Sequence, residues 1–366
     1  MKKSKVFVAM SGGVDSSVAA YLLKERGFDV VGVHLRCWNK NSCNVKDAED
    51  ARRVAELLNV PFYVLDLEKE YKEKVVDYMV SGYASGLTPN PDVMCNKEIK
   101  FGLFLKKALE MGADYIATGH YVRLRRNSEF RISNFEFDSK LKIKNSKFGL
   151  WRAKDTKKDQ SYFLWTLTQE QLRHCLFPIG DYLKSEVRAI AKKVGLPTAE
   201  KKDSQGLCFV GKVTLKEFLG EHLPPRKGFV VDNTGKILGE HEGAQFYTVG
   251  QRHGLGVSGG RPYYVTGKNT FTNTVAVALG SDSPLLYKNE IEICAANWIA
   301  GEEPRLPLLV LARVRYRQPL ILATVDKIKT DYYRVTFNFP QKFVASGQSV
   351  VFYAQDGLML GGGVIQ

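Results

Sequence analysis

The chain has 366 residues, 44% hydrophobic and 25% charged, enough for two or three globular domains with a sizeable core. Lys and Arg outnumber Asp and Glu by 53 to 39, a net charge of +14 that favours a polyanionic partner such as RNA or DNA, or else serves solubility. No apolar run approaches the ~20 residues that cross a bilayer, and Met1-Lys2-Lys3-Ser4 leads straight into an apolar run, so we expect no signal peptide, no membrane association and a cytoplasmic protein.

Val6 to Met10 reads as a buried parallel strand, Ser11-Gly12-Gly13 as a sharp turn, and the residues from Asp15 on as a helix stopped by Gly27. A strand, a glycine turn and a helix N-terminus make an anion site, because free N–H groups and the positive helix end point into the turn. Ser11, Ser16 and Ser17 are expected to add hydroxyl donors. The pattern lacks the Lys of a Walker loop, and its glycines are adjacent. Asp15 suits a pyrophosphate held with Mg²⁺, the metal offsetting the carboxylate. SGGVDSS resembles the signature of the PP-loop pyrophosphatases, which split ATP into AMP and pyrophosphate to activate an oxygen.

Further along, Asp29–Trp38 and Pro61–Leu67 read as strands, and Val45–Asn59 and Glu70–Gly82 as helices. Strand–helix alternation predicts an α/β domain on a parallel sheet, with ligands at the carboxyl edge. In Thr88–Gly102 the prolines around Asn90 predict an extended turn, followed by a helix over Ile99–Met111. Cys95 would then sit just before a helix start, near Lys97 and Lys100, which favours a thiolate. A packed cysteine remains the other reading. Asp114–Thr118 is a further strand, delivering Gly119 and His120 to the same edge.

From Arg123 to Lys158 there are twelve Lys and Arg against four Asp and Glu, with five Phe and Trp among them. The stretch reads as a projecting hairpin or long loop, either for RNA or merely solvated. Leu183–Gly195 is a predicted helix. Cys208, between apolar residues, reads in isolation as core. Past a short helix over Thr214–His222 and Pro224-Pro225 the pattern turns to strands and hairpins, and from Tyr287 five or six alternating strands predict a small closed barrel. Arg313, Arg315 and Arg317 alternate and predict a basic strand face. The boundaries expected are 1–212 for the nucleotide domain with a basic insertion at 127–149, 213–283 for a mostly β central domain, and 284–366 for the barrel. None of the six cysteines has zinc-finger spacing, and structural disulfides are not expected.

SGGVDSS, NPDVMCNKEIKF, ATGHY, KDQSYFLW, DSQGLCFVG, FYTVGQRHGLG and RYRQP recur in this order in the bacterial tRNA 2-thiouridylases, the MnmA family, which the chain resembles over nearly its whole length. The resemblance implies ATP-dependent adenylation of C2 of the wobble uridine, then replacement of its oxygen by sulfur. It implies that Cys208 carries a persulfide from a sulfur-relay donor protein. Cys95 would release that sulfur by a disulfide with Cys208, or assist its attack, and Asp92 would be the acid/base. It places Ala9, Met10, Ser11, Gly12, Gly13, Val14, Asp15, Ser16, Ser17, Leu35 and Gly119 at ATP, with Mg²⁺ near Asp15. Asn90, Pro91 and Asp92 would meet the flipped base. His120, Lys158, Asp159, Gln160, Tyr316, Arg317 and Gln348 would meet tRNA. A monomer is expected. Leu35 departs from the family's usual Met, and the segment from Asn127 to Gly149 is longer than usual. Two other readings stay open: another PP-loop adenylating ligase or amidotransferase, which needs no cysteine pair, and a non-catalytic tRNA-binding protein.

Overall fold

The apolar runs of the first half become β1 (Lys5–Ala9), β2 (Asp29–Arg36), β3 (Phe62–Asp66), β4 (Tyr115–Ala117), β5 (Val122–Arg126), β6 (Phe148–Arg152) and β7 (Cys175–Leu176). The computed structural model describes residues 3–38, 43–126, 148–202, 214–257 and 260–366. Five of these strands form a parallel sheet in the order β3-β2-β1-β4-β7. Its helices are α1 (Val14–Glu25), α2 (Cys43–Leu57), α3 (Glu68–Tyr71), α4 (Asp77–Ala84), α5 (Pro91–Met94), α6 (Leu105–Glu110), α7 (Gln169–Leu172) and α8 (Lys184–Val194). Val18, Ala19 and Leu23 of α1 pack with Val6 and Val8 of β1, Ala51 and Val54 of α2, and Val187 and Ala191 of α8 on one face of the sheet. Phe101, Phe104 and Ala108 cover Phe7, Val31 and Val33 on the other. Gly27, at φ +84°, follows the α1 C-cap as expected.

Two helical predictions change. The helix predicted over Ile99–Met111 begins at Pro91 and runs through a stretch of i→i+5 bonding at Cys95–Phe104 into α6. Pro91 occupies the first helical position, where its fixed φ and missing N–H favour the start, and the Asn90 Oδ1 accepts the Val93 N–H at 3.2 Å. Cys95 therefore lies inside the helix, beyond the first turn where the helix dipole acts most strongly. The helix expected over Glu70–Gly82 is α3 and α4 joined by a similar i→i+5 turn at Lys72–Val76.

After α9 (Leu215–Gly220), capped by Thr214, come β8 (Gly228–Val231), β9 (Ile237–His241), β10 (Tyr263–Asn269) and β11 (Thr274–Leu279), a four-stranded sheet in the order β10-β11-β8-β9. The last part comprises β12 (Tyr287–Trp298), β13 (Leu308–Arg313), β14 (Ile321–Lys329), β15 (Tyr332–Lys342), β16 (Ser349–Tyr353) and β17 (Leu358–Ile365). Pairing of β12 with both β15 and β17 closes these six into a barrel. The β5–β6 hairpin joins the edge of β17, with Leu358 opposite Trp151 and Met359 opposite Leu150. The basic stretch thus begins as an extension of the barrel. Its remainder, 127–147, lies outside the described residues, so the expected insertion at 127–149 is described only where β6 begins.

The basic strand face is also corrected. The strand β13 stops at Arg313, which is 3% exposed and donates to Asp159, itself 1% exposed, at 2.5 Å. Arg152 and the Ala153 and Ser161 N–H groups complete the shell of Asp159, and the Arg313 guanidinium also meets the Tyr353 hydroxyl. Arg315 turns inward to the Val249 carbonyl at 2.7 Å, and of the three only Arg317 is exposed. Asp159→Ala leaves Arg313 buried without its carboxylate, and the loss of a partner from such a pair costs about 3–5 kcal/mol. We expect a lowered denaturant midpoint; an unchanged midpoint would show that the pair does not join the two parts.

Candidate functional site at the carboxyl edge of the parallel sheet

The chain leaves β1 at Met10 and turns through Ser11, Gly12 and Gly13 into α1. Gly12 has φ +70°, and a Cβ there would stand 2.2 Å from the Asp47 carbonyl oxygen. Glycine is thus required for the backbone angle and for the approach of α2. Gly13 is the N-cap and no side chain caps the helix, so the first-turn N–H groups of α1 face the loop. The expected hydroxyl donors are mostly turned inward. Ser17, fully buried, donates to the Gly13 carbonyl at 2.8 Å, and Ser16 accepts the Ser11 N–H at 3.2 Å. Ser11 alone of the three is exposed. Met10 and Val14 are buried in the core on the α1 side, while Ala9 and Leu35 pack on the opposite face. These apolar positions therefore shape the cradle from behind.

Asp15 already has partners within the chain. The Lys184 ammonium, at the start of α8, meets both its oxygens at 2.8 Å, and the Tyr121 hydroxyl donates to one of them at 2.8 Å. Among the described residues no group of three or more His, Cys, Asp or Glu is placed to hold a metal ion. In the free chain Lys184 therefore offsets the Asp15 carboxylate, the part expected of Mg²⁺. Sequence reasoning missed Lys184. A cation in the first turn of a helix runs against the helix dipole, and that mismatch was the available signal.

Gly119 closes on the same helix end, since a Cβ there would lie 2.6 Å from the Ser16 nitrogen. His120 is 8% exposed, bonded to the Thr118 hydroxyl at 2.7 Å, with the Phe101 ring 5.9 Å away. Burial, with help from Lys100, holds its imidazole well below the ordinary value, so it is neutral at neutral pH. His120 joins the loop to the Cys95-bearing helix. On that helix, burial raises the Asp92 carboxyl above its ordinary range, and the Lys100 ammonium opposes the rise. Asn90 and Pro91 are buried at its start, and Cys95 is half-buried. Cys208 lies outside the described residues.

The Asn96 amide donates to the Phe163 carbonyl at 3.2 Å, and the Phe163 ring packs at a tilt against Tyr316 of the barrel, 4.5 Å between ring centres. Arg317 lies over the Tyr316 ring and is exposed, and Lys158 is half-exposed. Asp159, expected at tRNA, is instead the buried partner of Arg313, and the Gln160 side chain accepts the Tyr121 N–H at 2.9 Å. The Gln348 amide nitrogen donates to the Thr88 and Pro89 carbonyls at 2.8 and 3.3 Å, inside the protein. Cys175 is buried, and burial pushes its thiol up. Among the described residues no helix is long and apolar enough to cross a membrane.

Residues 4–212 match the family model of the tRNA methyl transferase HUP domain, 216–279 the tRNA methyl transferase PRC-barrel domain, and 288–365 the aminomethyltransferase beta-barrel domain. The tRNA-specific 2-thiouridylase MnmA 2 of Geobacillus kaustophilus is 44% identical over 369 residues, covering 99% of this chain and 95% of that protein. The MnmA of Methylobacillus flagellatus is 43% identical over 99% of both chains, and that of Clostridium perfringens 42% identical over 100% of this chain and 99% of its own. The parallel-sheet domain, the mostly β middle and the closed barrel follow one another as the three matched models do, and the chain belongs to the tRNA-specific 2-thiouridylase (MnmA) family.

Proposed function

We propose that the chain is a tRNA-uridine 2-sulfurtransferase that uses ATP to activate C2 of the wobble uridine and replaces its oxygen by sulfur. The observation that carries the reading is the physical continuity from the glycine loop, through Gly119 and His120, to the helix bearing Asp92 and Cys95. A uridine carbonyl oxygen is a poor leaving group. Attack of that oxygen on the α-phosphorus of ATP expels pyrophosphate, which the N–H groups at the start of α1, Ser11 and the Lys184 ammonium are suited to hold. Any Mg²⁺ would arrive with the ATP phosphates.

Sulfur then displaces AMP. Cys208 carries a persulfide delivered by a relay protein. The Cys95 thiolate attacks the Cys208 sulfur, the persulfide S–S bond breaks, and hydrosulfide leaves with the electron pair as a Cys95–Cys208 disulfide forms. Hydrosulfide adds to C2, its proton passes to Asp92, and AMP departs with the original oxygen. An external thiol must reduce the disulfide before the next turnover. A carboxyl raised by burial suits proton transfer nearer neutral pH than an exposed Asp. Lys158, Tyr316 and Arg317 supply charge and an aromatic face for the tRNA around the everted base.

Mass spectrometry of wobble nucleosides from cells lacking the protein should show 2-thiouridine derivatives replaced by their 2-oxo forms, with recovery on re-expression. Unchanged 2-thiouridine would contradict the reading.

A further inference from the structure

The segment that leads into Asn90 is gripped from two sides by parts of the chain far from the glycine loop. From the barrel, the Ser346 carbonyl accepts the Thr88 N–H at 2.8 Å, and the Gln348 amide nitrogen bonds the carbonyls of both Thr88 and Pro89. Gly347, at φ +88°, lies flat against the segment, where a Cβ would stand 3.0 Å from the Thr88 nitrogen. From the central sheet, the Lys268 ammonium on β10 donates to the Leu87 carbonyl at 3.1 Å and lies 5.4 Å from the centre of the Tyr83 ring. The Thr88 hydroxyl reaches that of Thr248 at 3.4 Å. Beneath the segment, Pro89 packs so closely on α4 that a Cβ on Gly82 would fall 2.8 Å from its ring.

The next three residues are Asn90, Pro91 and Asp92. Asn90 caps the helix and Pro91 fixes its own φ, so a shift of Leu87–Pro89 has little slack to absorb it before Asp92. Lys268 is a half-buried cation whose pKa desolvation lowers to about 8, and a carbonyl and a ring are its contacts. The ammonium reaches across from the central sheet and braces a single strap of backbone.

We propose that Gln348 and Lys268 are positioning residues, which hold the Leu87–Pro89 strap from the barrel and the central sheet so that Asp92 and Cys95 stand at the reacting carbon. This rests on the sulfurtransferase reading above. It assigns to the Gln348 amide an intramolecular role in place of the tRNA contact expected from the family resemblance. Docking of both β parts thereby becomes a condition for a competent site in the nucleotide-binding part.

The test is steady-state thiolation of tRNA by the full chain with ATP and a persulfide donor, comparing wild type with Gln348→Ala, Gln348→Glu and Lys268→Met. Glu keeps the size of Gln and removes the donor. Loss of two neutral hydrogen bonds predicts kcat lower by about tenfold in both Gln348 variants. KM for tRNA and for ATP should stay within about twofold, and Lys268→Met should move kcat in the same direction. A raised KM for tRNA at unchanged kcat would overturn the proposal and make Gln348 a direct tRNA contact. Unchanged kcat and KM in the variants that fold would overturn it as well. Failure of the wild type to thiolate in the same assay would instead bring down the sulfurtransferase reading itself.

Discussion

Lys184→Met is expected to abolish tRNA-dependent ATP–pyrophosphate exchange, by about 10²–10³-fold, in a protein that still folds. The ammonium meets both Asp15 oxygens at 2.8 Å, beside the first turn of α1. Without it, the mouth of the anion site carries an uncompensated carboxylate where the β- and γ-phosphates must lie. Two unit charges ~4 Å apart at an effective dielectric constant near 20 interact by about 4 kcal/mol, which is three orders of magnitude in rate if fully expressed. Asp15 is about one-third exposed, so solvent screening sets the lower end of the range. The fold should survive because α8 is held by Val187 and Ala191 in the core and by the Lys184 N–H to the Asp155 carboxylate. Exchange at the wild-type rate would remove Lys184 from the adenylation step.

Cys208→Ala and Cys95→Ser should each reduce 2-thiouridine formation by more than about 10³-fold while sparing exchange. Adenylation moves no electrons to or from a thiol, whereas release of hydrosulfide from a persulfide requires a second sulfur to take its place. Cys95→Ser exchanges one atom on a helix anchored by Ile99, Phe101 and Phe104, all buried, so the nucleotide loop should not move. Loss of exchange along with thiolation in Cys208→Ala would mean that the cysteine matters for shape. Full thiolation in Cys95→Ser would favour the ammonia-type chemistry of other PP-loop ligases.

What the sequence revealed of this arrangement followed from local chemistry. The run from Val6 through Gly13 to Leu23 carries its strand, turn and helix signals within twenty residues, and the alternating strands after Tyr287 announce a closed sheet. Pairings across long separations carry no such local signal. Asp159 and Arg313 are 154 residues apart, and alternation of arginines along a strand tells which side they take without telling whether that side is wet. The joining of the β5–β6 hairpin to β17 is of the same kind. At Asn90-Pro91 the signal was present but points two ways, because proline ends a helix when it lies inside and begins one at the first position. The loop pattern SGGVDSS presents its serines as ligands. Ser16 and Ser17 are instead turned onto the Gly13 carbonyl, and Ser17 also meets Thr198, partners that only the folded chain brings close.

The convergence of two remote thiols and a nucleotide loop on one base is tested most directly by a single turnover with persulfide-loaded protein, ATP and tRNA, with reductant withheld. Peptide mapping should then recover one Cys95–Cys208 disulfide for each 2-thiouridine formed, and thiolation should stop until thiol is added. Accumulation of 2-thiouridine with the two cysteines unlinked would contradict the account.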